Sequence, residues 1–416
     1  MPVTDWDAII VGTGPAGSVL ACRLRPGRRV LLLERAALRD RTARADAAVP
    51  RIGDPIGAGK LDCGDVSVGA AASDNREVFA GADVPRIGES LPGAARVLLQ
   101  RCGAFDRFVA AGHVERGATV SQWERDGPVW FDHLRDPNGP GWHLDRARFD
   151  ADLRASAVAA GAVLIDDCGA LRVTRDGDYW CVDTGRPAAA RETQNALHRA
   201  PVLVDATGRN AAVARQLGIA RRVEDELICL HAYLPPDALD EDRCTRVCAD
   251  SNGWWYSVRV PSGQRVLAFH LDADDAELRA LKALPALLDK ARRHAVLADV
   301  LPASADKTVH ARPAGSAVLD RTALAGAAPG FFAIGDAGLS FDPIASQGIF
   351  HALASAESAA NAIEWSDGSG DPAAARDAFL AEMTAVHTHY RQRLHDTYAA
   401  PATYRQWPFW LRRDLG

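Results

Sequence analysis

A glycine pattern near the start of the 416-residue chain has the spacing of a nucleotide-binding turn. Gly12, Gly14 and Gly17 follow the apolar run DAIIV in G-x-G-x-x-G spacing, and a helix of small residues comes next. Gly12 permits a tight turn, Gly14 lets the backbone approach a pyrophosphate, and Gly17 lets the helix pack close to the strand. Free N–H groups at the start of that helix favour an anion. We therefore predict that this turn, with Pro15 and Ala16, holds a dinucleotide.

An acidic residue closes the second predicted strand. The run RRVLLLER ends at Glu34, which Arg35 follows. A carboxylate at this position accepts hydrogen bonds from ribose hydroxyls. The combination of strand, glycine turn, helix and terminal acid argues against a purely structural glycine turn.

Two further turns follow apolar runs later in the chain, DATGR at 205–209 and GDA at 335–337. Asp336 ends a strand and can bind sugar-like hydroxyls beside a pyrophosphate. The loop 343–348 then opens a helix whose N-terminus can face an electron-rich carbonyl or an anionic reduced ring. This arrangement fits FAD, which needs a site for its dinucleotide part at one end and the positive end of a helix dipole near its reduced ring at the other. The predicted contacts in these turns are Ala206, Thr207, Gly208, Gly335 and Asp336.

The elements that position these residues indicate two kinds of sheet. The βα pattern lies at both ends of the chain, whereas 226–235, 254–260 and 264–272 indicate antiparallel strands and 274–296 a helix. We predict an α/β fold with an α+β insertion: a Rossmann-like FAD-binding domain, an inserted, mainly antiparallel β-sheet substrate domain and a C-terminal helical segment. The predicted bounds are 1–105, 140–225 and 305–365 for the FAD-binding domain (36–87 being an atypical excursion), 106–139 and 226–304 for the substrate domain, and 366–416 for the helical segment.

Composition and charge argue against several classes of function. Arginine and lysine number 48 against 54 acidic residues, and the net charge of −6 gives no basic field for nucleic acid or an anionic membrane. No apolar run is long enough to span a bilayer and we see no secretory signal, so we expect a cytoplasmic protein. Eight irregularly spaced cysteines predict free thiols and no metal site.

Three adjacent aromatic residues lie in GWWYSVRVP at 253–261. On a strand, Trp254 and Tyr256 point to one face and Trp255 to the other. One face is expected to cover the core of the sheet and the other to face the flavin cavity. Packing of all three in the core is the open alternative, because aromatic rings bury large areas. We predict that at least one of them lines a substrate pocket.

These motifs together resemble the FAD-binding fold of para-hydroxybenzoate hydroxylase and, within it, the tryptophan-halogenase-like branch. GESLPG, GWWYS, ARPAGSAVLD and GDAGLSFDPIASQGI resemble a subgroup that oxygenates a tryptophan within a partner polypeptide. That subgroup serves tryptophylquinone enzymes such as quinohemoprotein amine dehydrogenase and lysine or glycine oxidase. The resemblance covers most of the chain outside 36–83 and implies FAD and O2. By position it implies further cofactor contacts from Arg86, Glu89, Ser90, Arg146, Pro343, Ser346, Gln347, Gly348 and Ile349; for Arg146, an ion pair at its helix start is an equal alternative.

The chain departs from the halogenase pattern at two places. Halogenases of this family carry a lysine in the helix after G-E-x-x-x-P, but here that helix reads GAARVLLQRCG. Arginine is a poor substitute, because its guanidinium stays protonated. The W-x-W-x-I-P motif is also incomplete. DATGR lacks the aspartate–glycine pair with which single-component hydroxylases place NADPH, so we expect reduction by a separate flavin reductase or by loosely docked NAD(P)H.

We therefore expect an FAD-dependent monooxygenase that hydroxylates an electron-rich aromatic through a flavin C4a-hydroperoxide. The expected partner is an aromatic small molecule or a tryptophan-containing peptide or protein, an indole in either case. The candidate proton-handling residues are His351, Asp342 and Gln347, although the first two are, each taken alone, more commonly structural. Three alternatives remain open: a flavin-dependent halogenase, a flavin reductase of isoprenoid double bonds, and a non-catalytic flavoprotein that chaperones a partner.

Overall fold

The structure is a computed structural model that describes residues 3–24, 26–36, 38, 87–124, 127–184 and 196–414. Most of the excursion predicted at 36–87 lies outside the described residues, and so does Arg86.

A five-stranded parallel sheet forms the centre of the first domain. Its strands read as continuous apolar runs because both faces are covered. Helices Pro15–Arg23, Arg146–Ala159 and Gly348–Ser369 pack on one face, and a small second sheet packs on the other. In spatial order the five strands are Phe331–Ala333, Val202–Asp205, Ala8–Val11, Val30–Leu33 and Val163–Ile165.

The second sheet has four strands and brings Trp180 and Val182 against the parallel sheet. Its order is Val3–Asp5, Ala196–Ala200, Tyr179–Thr184 and Leu171–Asp176, and only the first pair is parallel. The short helices Ala212–Gln216 and Arg321–Gly326 complete this face.

A seven-stranded sheet forms the inserted domain. All its pairs are antiparallel except Thr245–Asp250 with Ala118–Gln122. The strand His310–Pro313 lies at one edge of this sheet, although the sequence boundary at 305 places it in the FAD-binding domain. In spatial order the strands are His310–Pro313, Leu227–Leu234, Arg265–Asp272, Gly253–Arg259, Thr245–Asp250, Ala118–Gln122 and Val129–Asp132.

Three short helices cover one face of the seven-stranded sheet, where one helix is predicted over 274–296. They are Leu278–Leu281, Leu284–Ala291 and Ala295–Ala298. Pro285 stands in the first turn of the second helix. Proline has no N–H to continue a preceding helix, so the apolar pattern persists while the helix restarts.

The remaining elements connect the two domains. Two three-stranded antiparallel sheets join them: Arg221–Val223, Ala317–Leu319 and Leu339–Ser340 form one, and Ser90–Leu91, Trp142–His143 and Val114–Glu115 form the other. Helices Ala95–Arg101 and Phe105–Ala110 follow the first strand of the latter sheet. The chain then closes with helices Pro372–Ala399 and Pro408–Asp414.

The residues from 398 to 414, here called the C-terminal segment, cover the second face of the seven-stranded sheet. The architecture confirms the predicted fold class: a Rossmann-like domain, an inserted sheet domain and a helical C-terminal part. Within the described ranges, no helix is long and apolar enough to cross a membrane. The same ranges contain no cluster of ligands for a metal, and their seven cysteines are all free.

Candidate flavin site

The predicted cofactor residues converge at one edge of the parallel sheet. Backbone hydrogen bonds continue the strand register past each strand end, with Gly12 N donating to Leu33 O (2.8 Å) and Ala206 N donating to Val11 O (2.8 Å). Ile334 N donates in the same way to Asp205 O (3.0 Å), one residue before the Gly335 turn. Carboxyl ends of parallel strands are where open α/β sheets bind ligands.

The three glycines of the first turn have different surroundings. Gly12 has φ +103°, and a Cβ on it would lie 2.3 Å from Ala206 O. A Cβ on Gly17 would lie 2.0 Å from Gly12 O, so helix and strand are in close contact there. Gly14 faces open space, with nothing within 4 Å of an added Cβ. Helix Pro15–Arg23 starts at this opening without a side-chain cap, so its first N–H groups are available to an anion.

Glu34 stands next to the glycine turn at the end of its strand. Its Oε2 accepts hydrogen bonds from Thr13 Oγ1 (2.8 Å) and Thr13 N (3.3 Å), while Oε1 accepts from Arg35 N (3.0 Å). The carboxylate is therefore fixed beside the turn, and the side chain of Arg35 is exposed.

Asp205 organises the DATGR turn from inside the protein. Its carboxylate is fully buried and accepts from Thr207 N (2.9 Å), Thr207 Oγ1 (2.6 Å), Val213 N (3.0 Å) and Ala214 N (2.8 Å). Burial raises the pKa of Asp205. These bonds hold Ala206, Thr207 and Gly208 in a fixed turn next to the first glycine loop.

Arg209 is a site residue that the sequence reasoning missed. Its guanidinium donates to Gly315 O (2.7 Å) and Phe341 O (2.7 Å) and lies 3.7 Å from Asp336 Oδ2. It thus joins three loops and faces Asp336, whose side chain is about one-third exposed. The arginine in DATGR was a visible signal, but its partners lie more than a hundred residues away.

The loop 343–348 presents an open helix N-terminus. Pro343 begins a short 3-10 turn, and Ser346 adopts a left-handed conformation with φ +49°. Ser346, Gln347 and Gly348 are exposed, and no side chain caps helix Gly348–Ser369. Ile349, by contrast, is buried. The first N–H groups of a 22-residue helix are therefore free to meet an electron-rich group.

Asp342 is buried immediately before this loop. Its Oδ1 accepts from Ile344 N (2.9 Å) and its Oδ2 accepts from Tyr398 Oη (2.7 Å). Burial raises the pKa of this carboxyl group to about 6. Asp342 therefore connects the loop to the C-terminal segment.

His351 and Gln347 occupy different positions. His351 is buried against the Phe341 ring, with ring centroids 4.7 Å apart, and burial lowers its pKa to about 4. It lies on the side of the helix that lines a small apolar cavity with Leu319 and Phe379. Gln347 is exposed at the helix start, and its backbone carbonyl accepts from His351 N (2.7 Å).

Residues 88–90, here called the GES loop, lie between the N-terminus of helix Gly348–Ser369 and the seven-stranded sheet. An added Cβ on Gly88 would lie 3.9 Å from the Ile349 side chain. Glu89 is buried and its Oε1 accepts from Tyr233 Oη (2.8 Å); Tyr256 Oη lies 3.5 Å from its Oε2 and 3.2 Å from Ser90 Oγ. Burial raises the pKa of Glu89.

Arg146 supports the GES loop from behind. Its guanidinium donates to Ile87 O (2.9 Å) and Gly88 O (3.0 Å) and pairs with Asp150 (3.3 Å). The ion pair with Asp150 fits the structural alternative for Arg146, and the two contacts with carbonyl groups hold the GES loop in place.

The strand Gly253–Arg259, here called the WWY strand, carries three adjacent aromatic residues that have different surroundings. Trp255 is fully buried under the three short helices, and its Nε1 donates to Asp250 Oδ2 (3.0 Å). Trp254 and Tyr256 lie on the opposite face. Trp254 is only 1% exposed, because Tyr398, Phe409 and Trp410 cover it.

This burial corrects the prediction for Trp254. Its indole stacks on His270, with ring centroids 3.7 Å apart, and its Nε1 donates to Tyr398 Oη (3.0 Å). Among the residues that the structure describes, Trp254 therefore borders no open pocket. Tyr256 is half-buried and is the member of the trio that reaches the GES loop and an accessible surface.

The residues at this edge fit FAD. The open space over Gly14 accepts a pyrophosphate at a helix N-terminus, and Glu34 and Asp336 stand where ribose and ribityl hydroxyls need acceptors. The second open helix N-terminus, at Gly348, suits an anionic reduced ring. The fold and this site define an FAD-dependent oxidoreductase.

Comparisons with known proteins identify the family within that class. The family model described as tryptophan halogenase matches residues 132–414, so the chain belongs to the tryptophan halogenase family. A putative FAD-dependent oxidoreductase, LodB of Marinomonas mediterranea, is 26% identical over 430 residues, which cover 98% of this chain and 97% of that protein.

Two solved structures are similar in fold. The myxobacterial chondrochloren halogenase CndH superposes with a TM-score of 0.74 at 22% identity, covering 98% of this chain and 86% of that one. The peptidyl tryptophan dihydroxylase QhpG, essential for tryptophylquinone cofactor biogenesis, gives 0.66 at 20% identity, covering 99% and 79%. This fold has thus been described for a halogenase and for a peptidyl tryptophan dihydroxylase.

Proposed function

We propose that the protein is an FAD-dependent monooxygenase that hydroxylates an electron-rich aromatic ring, an indole of tryptophan in a peptide or protein. When bound, reduced FAD would supply the O2-activating chemistry of such a hydroxylation, in which one oxygen atom would enter the ring and the other would leave as water. The chain's own residues hold the cofactor, position the ring and exclude water.

The observation that carries this proposal is the environment of helix Ala95–Arg101, which follows the GES loop. The helix contains no lysine, and its two arginines are engaged elsewhere. Arg96 lies over the rings of Phe105 (5.5 Å) and Trp142 (5.7 Å), and Arg101 pairs with Glu357 (3.5 Å). The helix therefore offers no amine to capture or steer a hypohalous acid, and a permanently charged guanidinium cannot replace it.

The aromatic face of the seven-stranded sheet supports the choice of substrate. Tyr233 and Tyr256 are half-buried and adjoin Ile87 and Val258, so a flat ring can pack there beside the open N-terminus of helix Gly348–Ser369. The similarity to the peptidyl tryptophan dihydroxylase supports a tryptophan within a polypeptide.

The test is the identity of the transferred atom. The FAD-loaded chain is given a chemical or enzymatic reductant, O2, bromide and chloride, with a short tryptophan-containing peptide or free tryptophan as probe. We expect products that contain one or more added oxygen atoms, labelled when 18O2 is used. The Gly14→Val variant is the cofactor-binding control. Bound FAD with no product and no substrate-dependent O2 consumption would refute the proposal and favour a non-catalytic flavoprotein.

The second candidate function is halogenation, which the family model and the fold of CndH favour. Its signature in the same assay is the isotope pattern of bromine or chlorine in the product. A halogenated product would contradict the argument from helix Ala95–Arg101. Stimulation by a separate flavin reductase, compared with NAD(P)H alone, identifies the reductant for either reaction.

A further inference from the structure

Arg116 is a half-buried cation without an acidic partner. It directly follows the strand Val114–Glu115. Its Nη2 lies 2.7 Å from His133 Nε2, and its Nε is buried with no hydrogen-bond partner. A guanidinium carries several N–H donors and no acceptor, so the contact with His133 leaves most of these donors unused. Among the residues that the structure describes, no carboxylate forms an ion pair with Arg116.

The side chains in contact with this guanidinium are neutral. Because a guanidinium only donates, His133 Nε2 accepts from it and the imidazole carries no charge. Burial and the charge of Arg116 lower the pKa of His133, which agrees with a neutral ring. Thr119 Oγ1, 2.8 Å from the same nitrogen, brings no charge either. Burial lowers the pKa of Arg116, but a guanidinium stays protonated, so its charge remains uncompensated.

The acidic side chains that act on this pair are engaged elsewhere. Asp132 and Asp136 are exposed, and each accepts from the backbone N–H two residues later (2.9 and 2.8 Å). Asp136 influences Arg116 through electrostatics alone, and water and salt screen such an exposed charge. The guanidinium therefore has room for one further anionic group.

Arg116 lies on the side of the seven-stranded sheet that carries Tyr256. Tyr256 pairs with Val247, whose partner on the next strand is two residues from Thr119, so all three share one face. Thr119 is thus two strands, or about 10 Å, from the WWY strand, and His133 joins it to Arg116. Burial raises the pKa of Tyr256, and the nearby charge of Arg116 opposes this rise. A ring packed on Tyr256 therefore has a cation within reach of another group of the same molecule.

We propose that Arg116 binds a carboxylate of the aromatic substrate and thereby fixes the direction in which the substrate lies across the sheet. The planar fork of a guanidinium matches a carboxylate in bidentate geometry. Two sources of this group fit: the terminal carboxylate next to the tryptophan, or an acidic side chain two positions away, about 7 Å along an extended peptide. The inference rests on the aromatic substrate of the proposed function, but not on the atom that is transferred.

The experiment titrates the FAD-loaded full chain with two pairs of probes in a calorimeter. The first pair is N-acetyl-tryptophan and N-acetyl-tryptophanamide; the second is the amidated peptide acetyl-Trp-Ala-Asp and its Asn counterpart. In wild type, the carboxylate member of at least one pair should bind about tenfold more tightly or better, and that pair identifies the source. Arg116→Met should reduce the ratio to less than about threefold. The exposed Arg135→Met is the matched control that keeps it.

Urea unfolding of the same proteins separates recognition from a structural role. Arg116→Met removes a half-buried charge that has no acidic partner, so the unfolding midpoint should not fall. Equal binding within both pairs by wild type, or an unchanged preference in Arg116→Met, would overturn the assignment. The wild-type titrations test it even if the variant fails to fold.

The same probes distinguish this inference from the proposed function. Failure of all four probes to bind would refute the aromatic substrate and this recognition together. A halogenated product with an intact carboxylate preference would refute only the proposed hydroxylation. A hydroxylated product without that preference would refute only the role of Arg116.

Discussion

Gly14→Val should separate cofactor binding from folding. Gly14 has φ −70° and ψ −174°, an extended conformation that valine adopts without strain, and an added Cβ meets nothing within 4 Å. The new side chain therefore starts in open space, on the side where we predict the pyrophosphate. Losing two backbone hydrogen bonds to charged phosphate oxygens, at about 1.5–3 kcal/mol each, lowers FAD affinity by about two orders of magnitude or more. The free energy of unfolding of the FAD-free chain should change by less than about 0.5 kcal/mol.

Gly17→Ala is the matched control, because its Cβ would lie 2.0 Å from Gly12 O. Backbone and helix must shift to admit it, at about 1–3 kcal/mol or more. The measurements are urea unfolding of the FAD-free proteins and titration with FAD. The reasoning fails if Gly14→Val retains wild-type FAD affinity, or if it loses as much stability as Gly17→Ala.

Three further changes probe the sheet, the loop and the C-terminal segment. Trp254→Ala should cost about 3–5 kcal/mol of stability, whereas Tyr256→Phe should cost less than about 1.5 kcal/mol and act mainly on turnover; equal losses in urea unfolding would contradict this. The pKa of the Asp342 carboxyl group is raised in the folded state, so the protonated group favours folding. This contribution to the free energy of unfolding is complete below pH 3.8 and is lost as the pH rises from 3.8 to about 6. In Asp342→Asn, the free energy of unfolding should no longer fall by about 2–3 kcal/mol over this pH interval. The measurement is urea unfolding at several pH values, and a pH profile equal to that of wild type would refute the prediction. Arg413→Met should cost about 3–5 kcal/mol because it takes the ion-pair partner from the half-buried Asp225 and leaves buried Asp272 with Arg412 alone. The more exposed Arg412→Met, as control, should cost less than about 1 kcal/mol in the same assay; similar losses would contradict the difference in burial.

The sequence predicted those features that depend on neighbouring residues. G-x-G-x-x-G spacing and alternating apolar strands are local, and the fold class followed from them. The break in the helix predicted over 274–296 had a local signal in Pro285, but the apolar pattern continued across it and concealed the restart.

The sequence could not predict contacts between distant segments. Arg209 was visible in DATGR, but its role depends on carbonyl groups of Gly315 and Phe341, which only the fold brings near. The burial of Trp254 depends likewise on Tyr398 and Trp410. Alternation along a strand defines which residues share a face, but it gives no information about what covers that face.

The cover over the WWY strand also has a consequence for biosynthesis. Trp254 bonds to Tyr398, 144 positions later, and Trp410 bonds to Asp250 across 160 positions. At a ribosomal rate of about 5–20 residues per second, this aromatic face stays uncovered for roughly 10–30 s after its strand is made. Such a surface is prone to aggregate during that interval. The face therefore stays open to contacts with other chains until residues 398–414, which cover it in the folded protein, have left the ribosome.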